Sequence, residues 1–277
     1  MKIKKYMIYF LSSSILALCL VVFIYNTTFI WLYERYTAVD SYYSHGFLIP
    51  FVSLLLIWLK RNEFKDYLFK SDRFGLILII IALTMHVVSI LAEVFFLSAF
   101  SLLILVFGFC FLFFGKNFTK KIYFPLIFLI FMLPLPFLLI NSISFPLKMF
   151  VTKSAVFLIK VVFGIPIKNE GFQIFFPKAT LLVENPCSGL RSLISMLALG
   201  SIFSYLIKKN SLKKYFLFLL SVLIALFSNL IRVIMLCLAV YIYGSKMSSG
   251  FFHDFSGYLA FAIAFITLWI SWRKLNV

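Results

Sequence analysis

Apolar runs long enough to enter a bilayer recur along almost the whole chain, and they decide what it can fold into. Hydropathy places them at about 7–26, 46–59, 74–92, 94–114, 122–141, 188–207, 215–243 and 257–272. A helix needs roughly 20 apolar residues to span the hydrocarbon core. Only helices or closed barrels satisfy their own backbone groups there. The expectation is an all-α polytopic membrane protein of about eight transmembrane helices, with 1–277 as a single membrane-embedded domain. Composition excludes the soluble alternative. Of 277 residues, 64% are hydrophobic and 13% charged, and 37 are Phe, whereas soluble domains sit near 45–50% and about 25%.

The net charge of +17 would suggest nucleic acid in a soluble chain. Here the basic residues gather in short loops, where they set topology instead, so no nucleic-acid partner is expected. With the N-terminus inside, the inner segments hold Lys2, Lys4 and Lys5, then Lys60 to Arg73, Lys116 to Lys121, Lys208 to Lys214, and Arg273 with Lys274. The outer segments hold fewer: Arg35, Lys148, Lys153, Lys160, Lys168, Lys178 and Lys246. Both termini are therefore expected in the cytoplasm, in an inner or plasma membrane. The start, Met1-Lys2-Ile3-Lys4-Lys5 before an apolar run, reads as an uncleaved first span. No A-x-A site follows, and Leu18 before Cys19 is too bulky for a lipoprotein cleavage site.

The longest outer segment, 142–186, has two parts. Ser142 to Gly164 is apolar but carries Lys148, Lys153 and Lys160, which suits a helix lying on the outer leaflet with lysines reaching water. A ninth span is the alternative, and the charge cost opposes it. Phe172 to Phe176 and Leu181 to Glu184 flank a Pro-led turn at Pro177, which reads as a β-hairpin just before the sixth span.

Ionisable residues in or beside spans are where chemistry is sought. In Asn185-Pro186-Cys187-Ser188-Gly189-Leu190-Arg191, a Pro after Asn marks a helix start. That puts Cys187 in the first turn, where free N–H groups and the helix dipole favour a thiolate. Arg191 follows four residues on, on the same face, and Gly189 leaves room for a substrate backbone. Asn229 and Arg232 share one face of the seventh span. Arg232 can hold a carbonyl oxygen or developing oxyanion, and His253, at the start of the last span, can act as general acid and base. Each has a plainer alternative: a structural cysteine, an arginine bonded to backbone carbonyls, a loop histidine. Asp254 is not assumed to orient His253, because helix neighbours point about 100° apart. Ser44-His45-Gly46 opens the second span and could line the same pocket. His86 is mid-span and suits a neighbouring carbonyl. Glu93 falls in an outer turn, and Pro134 and Pro136 should end or kink a helix. Cys19, Cys110 and Cys237 lie in apolar runs as small hydrophobes. There is no CxxC pair and no call for a metal or cofactor.

With Tyr43-Ser44-His45-Gly46, Leu133-Pro134-Leu135-Pro136, Glu184 to Ser192, Asn229-Leu230-Ile231-Arg232, and His253 with Gly257, the chain resembles the exosortase/archaeosortase family of polytopic membrane cysteine transpeptidases. The resemblance implies a triad of Cys187, Arg232 and His253, with Ser188, Gly189, Arg191, Asn229 and His45 in supporting or substrate-binding places. Position 186 is Pro where many members carry a small residue. The implied substrates are exported proteins ending in a sorting signal: a short motif, a membrane helix and a basic tail. Cys187 would form a thioester at the extracytoplasmic face and pass the chain to water, an amine or a lipid-linked acceptor. Membrane lipids are implied neighbours. The competing readings are a non-enzymatic component of polysaccharide export, an anion transporter using Arg232, and a purely hydrolytic intramembrane protease.

Overall fold

A computed structural model describes residues 16–17, 19–39, 41–64, 70–177, 179–183, 188–207, 211–245 and 250–276. The chain divides into two compact units, with the boundary between Pro134 and Leu135. Half of the expected first span, 7–15 and Leu18, falls outside the described residues.

The first unit holds α1 (Asn26–Thr37), a 3-10 turn (Ser44–Phe47), α2 (Leu48–Leu59), α3 (Phe74–Leu91) and α4 (Phe95–Phe109). α4 continues through a π turn (Cys110–Phe114) into α5 (Gly115–Lys121), followed by α6 (Tyr123–Phe128) and a second 3-10 turn (Leu129–Met132). α3 and α4 form a hairpin whose helices touch backbone to backbone: a Cβ on Gly75 would run into the Gly108 carbonyl and the Leu112 backbone. Small residues at such crossings let helices approach without help from the hydrophobic effect, which is absent in lipid.

Polar atoms inside this unit find one another. His86 Nε2 lies 3.1 Å from the Ile24 carbonyl and Nδ1 lies 2.7 Å from Ser98 Oγ. A carbonyl only accepts, so Nε2 carries the proton and Ser98 donates to Nδ1. Thr28 meets Ser98 at 2.5 Å, and Tyr25 meets Ser101 at 3.0 Å. His86 thus has the carbonyl partner its mid-span position calls for. Glu93 is exposed in the turn after α3, with φ 56°.

The family-like segment Tyr43 to Gly46 and Met132, the residue before Leu133, come together at Tyr36. Its ring fills the space over Gly46, and its hydroxyl donates to the Met132 carbonyl at 2.7 Å. After Met132 the helical path stops, with Leu133 extended at ψ 115° and Pro136 before the next helix. Proline lacks an N–H and disfavours helix in the residue before it.

The second unit holds α7 (Phe137–Phe163), strands β1 (Lys168–Glu170), β2 (Gln173–Phe175) and β3 (Thr180–Leu182), then α8 (Leu190–Leu206), α9 (Ser211–Tyr243) and α10 (Phe251–Asn276). α7 has 27 residues and starts ahead of the expected Ser142. Pro136 precedes it in extended geometry, and proline near a first turn costs no helical bond. The strands form one antiparallel sheet in the order β1-β2-β3, with Ile174 facing Leu181 across β2 and β3. β1 is a strand that the sequence pattern did not call for. Ile174, Leu181 and Val183 bury against Ile159 of α7 and Val233, Leu236 and Val240 of α9. Lys148 reaches back over the Phe172 ring, 4.4 Å from its centre, a cation held on an aromatic face.

Among the described residues, four helices have the length and apolarity to cross a membrane: Phe74–Leu91, Phe95–Lys121, Leu212–Tyr243 and Phe251–Asn276. A fifth arises if Tyr123–Met132 and Phe137–Phe163 count as one broken span. The all-α, multi-pass membrane character stands, but these helices do not give eight spans. α2 has 12 residues and α8 has 17, both short of the roughly 20 that a crossing takes.

Candidate active site

The site is assembled where α8, α9 and α10 of the second unit converge. α10 buries Ser256, Ala260, Ala264 and Leu268, spaced four apart and hence on one face. Three of the four are small, which lets α9 approach closely. Ser228 on α9 donates to the Ala260 carbonyl at 2.5 Å. One turn further along α9, Arg232 lies across Gly257: a Cβ there would sit 3.3 Å from Cζ and Nη2.

Arg232 Nη2 lies 3.3 Å from His253 Nε2 and 3.5 Å from the His253 carbonyl. A guanidinium has only donors, so the contact to Nε2 is a hydrogen bond only when Nε2 presents its lone pair. The ring proton then sits on Nδ1, which lies 3.4 Å from Asp254 Oδ1. In that tautomer Nδ1–H donates to the carboxylate while Nε2 accepts from Arg232. The His253 side chain is 19% exposed and that of Asp254 is 71% exposed, so the imidazole is largely shielded while its carboxylate partner is open at the surface. Ser256 Oγ donates to the His253 carbonyl at 2.7 Å and fixes the first turn of α10.

The approach to α8 is shaped by one glycine. Gly189 caps the helix at φ 83°, in the left-handed region. A Cβ there would meet Asn229 Nδ2 at 2.6 Å and Cγ at 2.7 Å. The position therefore excludes a side chain twice, by backbone angle and by the buried Asn229 amide. Ser188 is buried, its Oγ accepting from the Leu190 N–H at 3.2 Å, while Ser192 donates to the Gly189 carbonyl at 2.9 Å.

One expectation changes. The space above Gly189 holds Asn229, so it is not left open for a substrate backbone. α8 begins at Leu190, with the left-handed Gly189 as its cap. Cys187 itself lies outside the described residues, together with Glu184, Asn185 and Pro186. Arg191 is half-buried in the first turn of α8. Arg232, His253, Asn229, Ser188 and Gly189 gather in the second unit. His45 belongs to the first, its ring stacked 6.0 Å from that of Tyr43.

The sequence model of transmembrane exosortases matches residues 31–270. The chain belongs to the transmembrane exosortase family. No curated protein and no solved structure matches it. The exosortase match runs from α1 through most of α10 and so takes in both units. Two features of this exosortase escaped sequence reasoning. Asp254 reaches the ring of its neighbour, and Ser228 fastens the helix that carries Arg232. The second had a signal, since Ser228 lies four residues before Arg232. The first had none, because adjacent helical positions do not ordinarily meet.

Proposed function

We infer that this exosortase is a membrane cysteine transpeptidase that cleaves the C-terminal sorting signal of exported proteins. Cys187 is the nucleophile, His253 the general base and acid, and Arg232 the oxyanion partner. The observation that supports this best is the Arg232–His253 contact at 3.3 Å, a hydrogen bond when Nε2 presents its lone pair to the guanidinium. A general base must present a lone pair on the nitrogen that takes the proton.

Nε2 takes the Cys187 thiol proton, and the thiolate attacks the peptide carbonyl at the end of the recognition motif. The ring now has N–H groups on both nitrogens, so Arg232 loses its acceptor on His253. Its donors turn to the oxyanion that has just formed. Collapse breaks the C–N bond, the imidazolium returns its proton to the leaving amine, and a thioester remains on Cys187. An amine or lipid-linked acceptor, deprotonated by the same Nε2, then attacks the thioester and carries the protein to the envelope. The sorting tail's basic end stays in the cytoplasm, which puts its motif at the extracytoplasmic face, where the site is assigned.

The test is to trap the intermediate. Membranes co-expressing a tagged substrate are quenched in acid and digested, and Cys187 peptides are searched for a thioester. The expected result is an adduct that hydroxylamine releases. It is absent in Cys187→Ala and strongly reduced in His253→Ala and Arg232→Gln. Processing of the substrate at full rate in Cys187→Ala would overturn the reading.

A further inference from the structure

A cleft of about 370 Å³ opens at the end of the α3–α4 hairpin, lined by Lys70, Ser71, Asp72, Arg73, Phe114 and Lys116 among others. Its walls are held by backbone. The Asp72 N–H donates to the Phe111 carbonyl at 3.2 Å, and the Lys70 carbonyl occupies the place where Gly115, at φ 79°, would carry a side chain. The lining holds three cations against one carboxylate. Asp72 Oδ1 is already committed to the Phe74 N–H at 3.0 Å, capping α3. Lys70, Arg73 and Lys116 are exposed, and none makes an ion pair among the described residues.

We propose that this cleft binds the phosphate headgroup of an anionic membrane lipid. Position and shape argue for a lipid over free phosphate. The cleft sits at the ends of two apolar helices, Phe74–Leu91 and Phe95–Lys121. Exposed Phe74, Ile77 and Ile81 lead away from it along α3. They fall at helical spacing on one face, an apolar track on which acyl chains lie while the phosphodiester stays between Lys70, Arg73 and Lys116. Phe114 offers an apolar wall beside them for the glycerol carbons. Basic pockets between membrane helices recognise such headgroups, at about 1 kcal/mol per nearby cation.

The test measures phosphatidylglycerol binding to the purified full chain by native mass spectrometry, with phosphatidylcholine and inorganic phosphate as comparisons. Phosphatidylglycerol should bind selectively. Each of Lys70→Gln, Arg73→Gln and Lys116→Gln should weaken it about fivefold, and the triple variant roughly a hundredfold. Removing the same charge elsewhere, as Lys153→Gln with Lys160→Gln and Lys168→Gln, should leave affinity within about twofold if binding is local and not set by net charge. The single variants keep the proposal testable should the triple variant fold poorly. Equal affinity in the triple variant, or equal loss in the control, would overturn the site. Inorganic phosphate binding as tightly, with the same loss in the triple variant, would overturn the lipid as its source.

Discussion

At the scale of single residues, the site depends on which nitrogen carries which proton. Arg232→Lys keeps the charge but loses the fixed fork of donors, so turnover of a sorting-signal substrate should fall about 10²-fold or more, as for loss of an oxyanion donor. Asp254 weighs less. Its carboxylate is 71% exposed, and exposed charge pairs contribute about 0–1 kcal/mol, so Asp254→Asn should lower turnover by no more than about fivefold. A loss as deep as that of His253→Ala would show that Asp254 does more than hold a tautomer. Gly189→Ala meets two penalties, the φ of 83° and the Asn229 amide at 2.6 Å. The backbone part alone amounts to about 1–3 kcal/mol. Thermal unfolding should show a clear loss, and adding Asn229→Ala should restore only the packing part. The residue types of this site were legible in the sequence, because Arg and His at span ends are costly and therefore stand out. The left-handed Gly189 was not, since nothing local separates a glycine that makes room from one that turns the chain.

At the scale of elements, the clasp between α9 and α10 deserves a direct test because short side chains make it. Ala260→Leu inserts bulk where Ser228 bonds the Ala260 carbonyl at 2.5 Å. Overpacking a tight contact costs about 1–3 kcal/mol and should separate Arg232 from His253. Activity should fall by at least tenfold while protein level in the membrane stays near normal. Retained activity would show that the clasp does not set the pair's spacing. Hydropathy made most of these elements readable, as did the two prolines that stop the path after Met132. Helix starts were less readable. α7 begins earlier than the expected Ser142, with Pro136 just ahead of its first turn. β1 carries Lys168, Asn169 and Glu170, with no β-branched or aromatic residue to announce a strand.

At the scale of the whole molecule, the apolar surface and the multi-pass helices make it an integral membrane protein, while sidedness rests on the distribution of Lys and Arg. From that distribution we propose that both termini lie in the cytoplasm. With the other three cysteines replaced by Ala, Cys187 should react with an impermeant thiol reagent added outside intact cells. A reporter fused after Val277 should be active only in the cytoplasm. Labelling of Cys187 from the cytoplasm alone would invert the assignment.

The buried string of Tyr25, Thr28, His86, Ser98 and Ser101 in the first unit bears on how such a molecule can change over generations. Greasy helix faces are interchangeable, so they give a helix no reason to prefer one rotation over another. A string in which each hydroxyl has one direction to donate supplies that reason, because a helix turned by one residue would strand several polar atoms in lipid. Lipid-facing positions such as Phe23, Ile80 and Val87 are exposed and can drift among apolar types with little effect. The five polar positions can be replaced only in concert, and together they form a small, heritable lock on how the first unit's helices recognise one another.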